Sequence, residues 1–213
     1  MARRLFGCLI AGVVLAGLPA LAQAPKMLSI GQDVKPGDHV TTGAGEQRAL
    51  LSPDGASLLI GPNSDVALDK FAYDPAAKRG TMALTVRSGS LRYGGGQIVK
   101  SGDVTIAAGT GQVTLHAASA AIGVRPEGAE IRMVSGERVA VSAAGATQTM
   151  TQPDSVVYVP ANQPPSSPAA RAASARPPGF GQATSDLDTM TRTNRIIENA
   201  GSQSRIPTPV APR

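Results

Sequence analysis

From Ile30 to Val159 the apolar residues come in short runs about ten residues apart, each closed by Gly, Pro, Asn or Asp. That rhythm predicts many short strands joined by tight turns. The candidate strands are 49–51, 57–60, 66–68, 82–86, 91–93, 104–107 and 113–115, continued by 121–124, 129–134, 138–141 and 155–159. Val104-Thr105-Ile106 and Arg138-Val139-Ala140-Val141 alternate with period two, so one face of each should be buried and the other solvated. No amphipathic helix interrupts the series. The expected fold class is all-β.

A weak repeat runs through the same region: Val86-Arg87-Ser88-Gly89-Ser90-Leu91, Val99-Lys100-Ser101-Gly102-Asp103-Val104 and Val134-Ser135-Gly136-Glu137-Arg138-Val139. Each reads as an apolar residue, a Ser-Gly turn and a new strand. Such units stack as a solenoid or roll, or fold as a sandwich. The short connections favour a compact β-roll or short solenoid.

Composition narrows the kind of core. With 24 Gly, 17 Pro, no Trp, three Phe and three Tyr, the interior must be built from Val, Ile, Leu and Ala. Gly and Pro cost a helix interior about 1 and 3 kcal/mol respectively, which again favours strands. The net charge of +5 dissolves when it is divided along the chain. Residues 23–160 carry twelve basic and twelve acidic side chains, and the surplus lies in the two flanks. A nucleic-acid binder concentrates Lys and Arg on its folded face and often adds stacking aromatics, so nucleic acid is not an expected partner.

The flanks have their own textures. Met1-Ala2-Arg3-Arg4, the apolar run Leu5–Leu18 and the small-residue end Pro19–Ala24 match a secretory signal peptide, with cleavage expected after Ala22 because Pro25 disfavours a cut after Ala24. The order of Cys8 and the apolar run is wrong for lipidation, and the run is shorter than the roughly 20 residues that span a bilayer. Cleavage would leave a chain without cysteine or a transmembrane anchor, in the periplasm or secreted. The β domain is expected over 30–160. Beyond it, residues 161–213 form a Pro-, Ala- and Ser-rich linker and tail, expected to be extended and mobile. Ser185 can cap a short helix over 186–199, with Asp186 and Asp188 in its first turn and Leu187, Met190 and Ile197 on one stripe.

Reactive chemistry is sparse. His39 and His116 are the two histidines, and neither has a second strong ligand at metal-binding spacing. Asp38-His39 reads as a solvated polar pair. Gly94-Gly95-Gly96-Gln97-Ile98-Val99-Lys100-Ser101 resembles a phosphate loop, but Val99 stands where glycine is required and a strand-like run follows. It reads as a flexible hairpin loop. Gly109-Thr110-Gly111 lacks the third glycine of a dinucleotide loop. Asp54, Asp65, Asp69 and Asp74 lack calcium-loop spacing. The sequence therefore offers no catalytic set, no metal site and no cofactor.

Two stretches carry more information. In Leu51-Ser52-Pro53-Asp54-Gly55-Ala56, proline presets the first central torsion and Gly55 takes the positive φ that closes a hairpin. Gly61-Pro62-Asn63-Ser64 repeats that turn chemistry. With Pro36-Gly37-Asp38-His39-Val40-Thr41-Thr42-Gly43, Leu68–Phe71, Ser88-Gly89-Ser90-Leu91-Arg92-Tyr93 and Ala121-Ile122-Gly123-Val124-Arg125, these stretches resemble the FecR-like domain, a bacterial extracytoplasmic module, over roughly residues 30–125. Pro126 and Glu127 replace the glycine and threonine of the family's closing G-x-R-G-T element. Gly37, Asp38, Gly43, Asp54, Gly55, Gly61, Asn63, Gly89, Gly123 and Arg125 are the family-motif turn residues, with a structural role.

The resemblance implies an all-β domain that regulates, senses or recognises a partner; the founding regulators relay iron-siderophore uptake to a sigma factor. Such a relay needs a cytoplasmic segment ahead of its membrane helix, and four residues precede the apolar run here, so a direct transmembrane role is not expected. The reading is a non-enzymatic recognition, sensing or scaffold module for an envelope protein or glycan. The alternatives are an envelope-directed hydrolase using carboxylates such as Asp65 or Asp69 in a cleft, or a periplasmic regulator acting through a separate membrane partner.

Overall fold

The computed structural model describes residues 26–170, so the expected leader and the expected helix over 186–199 lie outside the described residues. The described chain is all-β apart from one helical turn. Its strands are β1 (Lys26–Ser29), β2 (His39–Thr41), β3 (Arg48–Leu51), β4 (Ala56–Ile60), β5 (Asp65–Asp74) and β6 (Arg79–Gly95). After the turn α1 (Ile98–Ser101) come β7 (Asp103–Ala108), β8 (Gly111–Arg125), β9 (Gly128–Ala143), β10 (Ala146–Met150), β11 (Ser155–Pro160) and β12 (Ala169–Ala170).

Three strands are far longer than the apolar runs that predict them. Met82–Val86 and Leu91–Tyr93 belong to the single strand β6, Val113–Leu115 and Ala121–Val124 to β8, and Ala129–Val134 and Arg138–Val141 to β9. The Ser88-Gly89 and Ser135-Gly136 pairs are thus bends inside strands rather than turns between them, whereas Ser101-Gly102 closes α1 and precedes the new strand β7 as read. At such a bend hydrogen bonding continues while the strand changes direction, so the sequence signal is the same as for a turn.

The bends split one hydrogen-bonded sheet into two halves. The first half of β6 pairs with β5 and with the parallel β7, its second half with β4 and β8. β8 likewise pairs with β7 before its bend at Ala117 and with β6 after it, and β9 follows β8 through both halves. The pairing path therefore returns on itself, from β6 through β7 to β8 and back to β6. The strands cross between halves at opposite ends. Val86 of β6 stands level with Ala108 and Gly111, whereas β8 bends beyond the Met82–Val104–Leu115 level. The chain also changes halves between strands, at 61–64 from β4 to β5 and through α1 from β6 to β7.

Both halves bury apolar side chains in one cluster. Val104 and Ile106 of β7, Val139 and Val141 of β9, Leu58 and Ile60 of β4, and Leu91 and Tyr93 of β6 all belong to it. The expected period-two alternation holds in β7 and in the second half of β9. The second half-sheet is different, being buried on both faces. Leu59 and Ala121 point away from the main cluster and are still fully buried, and Ser155–Val159 is buried at every position. Continuous apolar runs are what a strand covered on both sides requires.

Two further expectations need correction. Ile98–Ser101 is a helical turn with Ile98 and Val99 buried, not part of a flexible loop, and Gly94 and Gly95 lie within β6. Residues 161–170, read as the start of a mobile linker, run along the edge of β11. The Tyr158 backbone accepts from the Ser166 N–H and donates to the Ser166 hydroxyl, and Ala169–Ala170 pair with Ser155 and Val156.

Candidate functional site

The ten motif residues fall into three places. Gly37 and Asp38 close the turn before β2. There the Asp38 carboxylate accepts from the Lys35 N–H at 2.8 Å, and the Gly37 N–H donates to the Leu68 carbonyl. His39 pairs not with Asp38 but with Asp65, at 3.1 Å. Asp54 and Gly55 sit in the β3–β4 hairpin, where the Gly55 N–H donates to the Ser52 carbonyl as a tight turn demands. The Asp54 carboxylate also accepts from the N–H of Ile98 at 3.1 Å, so it ends buried against the first turn of α1. That N-terminus is occupied by the protein's own carboxylate.

The remaining six gather where β6 bends. Gly61-Pro62-Asn63-Ser64 is not a second hairpin: it carries the chain from β4 in one half-sheet to β5 in the other, and Asn63 supplies the left-handed residue at φ 52°. The Gly43 carbonyl accepts from the Asn63 N–H, and the Ser90 carbonyl from the Gly61 N–H. Three hydroxyl-bearing residues lock the corner. Thr42 Oγ1 accepts from the Ser64 N–H and donates to the Gly61 carbonyl at 2.6 Å, while Ser64 Oγ accepts from the Ser90 N–H at 2.9 Å. All three are buried, where each satisfied bond stabilises and each orphaned partner would cost about 1–3 kcal/mol. Gly89 is required here, because it holds φ 81° and a Cβ on it would overlap Ser64.

A cleft of about 430 Å³ opens on this corner. Asn63, Gly89, Gly123 and Arg125 line it, together with Pro62, Arg87, Ser88, Ser90, Val124 and Pro126. Gly123 lies within β8, opposite Ser90, rather than in a turn; the turn begins three residues later, at Pro126-Glu127. Arg87 carries no signal in the sequence that singles it out. Val86 pairs with Val66 and Ser88 with Asp65, so Arg87 is the extra residue of a β-bulge. A bulge re-aims one side chain. Here it sets a half-exposed guanidinium at the cleft, 3.9 Å from the Asp65 carboxylate.

The chemistry of the lining is mixed, with Pro62, Val124 and Pro126 beside backbone amides, hydroxyls and two guanidinium groups. Asp65 and Asp69 do not line it. Asp65 is engaged by His39 and Arg87, and Asp69 accepts from the Thr85 hydroxyl at 2.7 Å. His116 pairs with Asp103 across β7 and β8 at 2.8 Å. No group of three or more His, Cys, Asp or Glu side chains able to hold a metal ion occurs among the described residues, and none of their helices is long and apolar enough to cross a membrane. Burial, and then the Asp54 charge, push the Tyr93 phenol far above its ordinary value. The Gly43 N–H and then Arg48 hold the Glu46 carboxyl below the usual carboxylate range.

Comparison with known proteins adds likeness in shape alone. No family model matches the chain, and no curated protein matches it in sequence. Two crystal structures of a provisionally assigned anti-sigma factor from Parabacteroides distasonis are similar at 12% identity, with TM-scores of 0.48 and 0.46. Each match covers 63% of this chain and 61% of the other.

Proposed function

We propose that this chain is a non-enzymatic recognition module of the bacterial envelope, related to FecR-like domains, which is exported by its leader and binds an envelope protein or glycan through the cleft at the β6 bend. The observation that carries the reading is the convergence of Asn63, Gly89, Gly123 and Arg125, distant in sequence, on one cationic cleft. Residues that merely close turns have no reason to share a surface. The rigid corner beneath them, tied by Thr42, Ser64 and Ser90, is preorganised, and preorganisation lowers the entropy lost on binding. A lining that mixes amides, hydroxyls and guanidinium groups with Pro62, Val124 and Pro126 suits holding and orienting a partner rather than bond-breaking. A periplasmic regulator that acts through a separately encoded membrane partner is the same reading with a downstream step added.

The test is affinity capture from envelope extracts with the full chain and with an Arg87→Glu/Arg125→Glu variant shown by circular dichroism to be folded. The expected result is one envelope component enriched about tenfold or more by the parent over the variant, as loss of interface arginines produces. Equal capture by both proteins, or no specific capture by the parent, overturns the proposal.

A further inference from the structure

The cleft at the β6 bend is the gap left where two paired strands part. β6 and β8 run together as far as Gly89 and Val124; beyond that pair Ser88 is matched with Asp65 of β5, while Arg125 goes on beside Gly128 of β9. Arg87 reaches the gap from one parting strand and Arg125 from the other. No Asp or Glu is among the residues that line it. Arg87 does approach the carboxylate of Asp65, but loosely: the separation is 3.9 Å, beyond hydrogen-bond distance, and the same carboxylate holds His39 at 3.1 Å. The Arg87 side chain is 58% exposed, so its planar fork of N–H donors stands open at the mouth of the cleft.

We infer that this cleft takes an acidic peptide segment of a partner protein, with a carboxylate of the peptide on the Arg87 guanidinium and an aliphatic neighbour on Pro62, Val124 and Pro126. The inference rests on the cleft being the recognition site and narrows what that site recognises. A guanidinium offers two parallel N–H donors at the spacing of the two oxygens of a carboxylate, so a bulge that presents Arg87 selects a planar anion over a neutral group. The rest of the lining decides which anion. A phosphoryl group carries oxygens on every side that need donors or water, whereas a carboxylate sits at the end of a carbon chain whose apolar neighbours can leave water against proline and valine. A sugar acid would bring a ring edged with hydroxyls, and no aromatic side chain lines the cleft to take the face of a ring. The volume of about 430 Å³ is that of an ordinary ligand site and holds a short stretch of chain rather than a folded surface.

The experiment selects from a displayed library of random short peptides on the immobilised full chain, then measures the enriched peptides by calorimetry against the parent and an Arg87→Gln variant shown by circular dichroism to be folded. Enriched peptides are expected to carry Asp or Glu beside Val, Ile or Leu. Their affinity is expected to fall about tenfold or more when that acid is replaced by its amide, and equally when Arg87→Gln is the receptor, as loss of a charge-assisted pair produces. Arg79→Gln, at the exposed start of β6, is expected to leave affinity unchanged, which a general attraction between charges would not. Neutral or basic peptides weakened by Arg87→Gln, or a uronic-acid oligosaccharide bound in their place and lost with that variant, would overturn the acidic peptide and keep the cleft as the site. Peptides that bind the parent and Arg87→Gln alike would overturn both. No enrichment at all would overturn this inference alone, since capture of an envelope component by the parent is read separately.

Discussion

The carboxylate of Asp54 accepts a hydrogen bond at 3.1 Å from the backbone N–H of Ile98, 44 residues further along the chain. Its other oxygen accepts from the Ala56 N–H at 3.2 Å. One side chain thus closes its own hairpin and anchors the helical turn that leads β6 into β7. Gly96 makes the approach feasible, because a Cβ there would stand 2.5 Å from Asp54 Oδ2.

Replacing Asp54 by Ala leaves both N–H groups without an acceptor in a buried place. The expected loss is about 2–4 kcal/mol in urea unfolding, with Asp54→Asn costing less because one carbonyl oxygen remains. Hydrogen exchange should lose protection at Ile98 first. Unchanged protection there would show that α1 is held by its apolar side chains alone.

Gly89 and Gly37 have similar backbone angles, φ 81° and φ 95°, but different surroundings. A Cβ on Gly89 overlaps Ser64, whereas one on Gly37 meets nothing within 4 Å. Gly37→Ala should cost about 1 kcal/mol, the backbone penalty alone, and Gly89→Ala about 3 kcal/mol. Equal losses in denaturant titrations would mean that the corner yields freely and is not preorganised.

The Tyr93 hydroxyl is buried without a hydrogen-bond partner among the described residues, and its acidity is displaced upward. A raised value leaves stability intact below the ordinary phenol value near 10. Above it the unfolded chain ionises while the folded chain keeps its proton, so stability falls by up to about 1.4 kcal/mol per pH unit. Tyr93→Phe should be neutral or slightly stabilising at pH 7 and should flatten that alkaline decline. Tyr73 and Tyr158 are common to both proteins, so coincident profiles between pH 9 and 11 would refute the assignment.

Asp65 and Asp69 were the carboxylates of the hydrolase alternative. Both sit on β5 outside the cleft, in exposed or half-exposed pairs worth less than about 1 kcal/mol. Asp65→Asn and Asp69→Asn should each leave stability within that margin and partner capture unchanged. Loss of a measured hydrolytic activity on envelope material in either variant would restore the enzymatic reading.

How much the sequence disclosed depends on whether the cause was local. The period-two alternation of Val104-Thr105-Ile106 and Val139-Ala140-Val141, and the turn at Pro53-Asp54-Gly55, come from torsions and burial that neighbouring residues set, and they fold as read. The corners at Gly89 and Gly136 were legible as reversals but not as bends, because a Gly with positive φ serves a turn and a kinked strand equally. Only pairing partners distinguish the two, and those lie far away in the chain. Arg87 was invisible for the same reason: a bulge exists only relative to the opposite strand. The sequence by itself determined the strand rhythm, the core composition and the glycine positions. The tertiary structure decided that β6, β8 and β9 each serve both halves, that Asp54 reaches Ile98, and that four motif residues meet at one cleft, since long-range register and close backbone approach are set by packing the whole sheet around a common core.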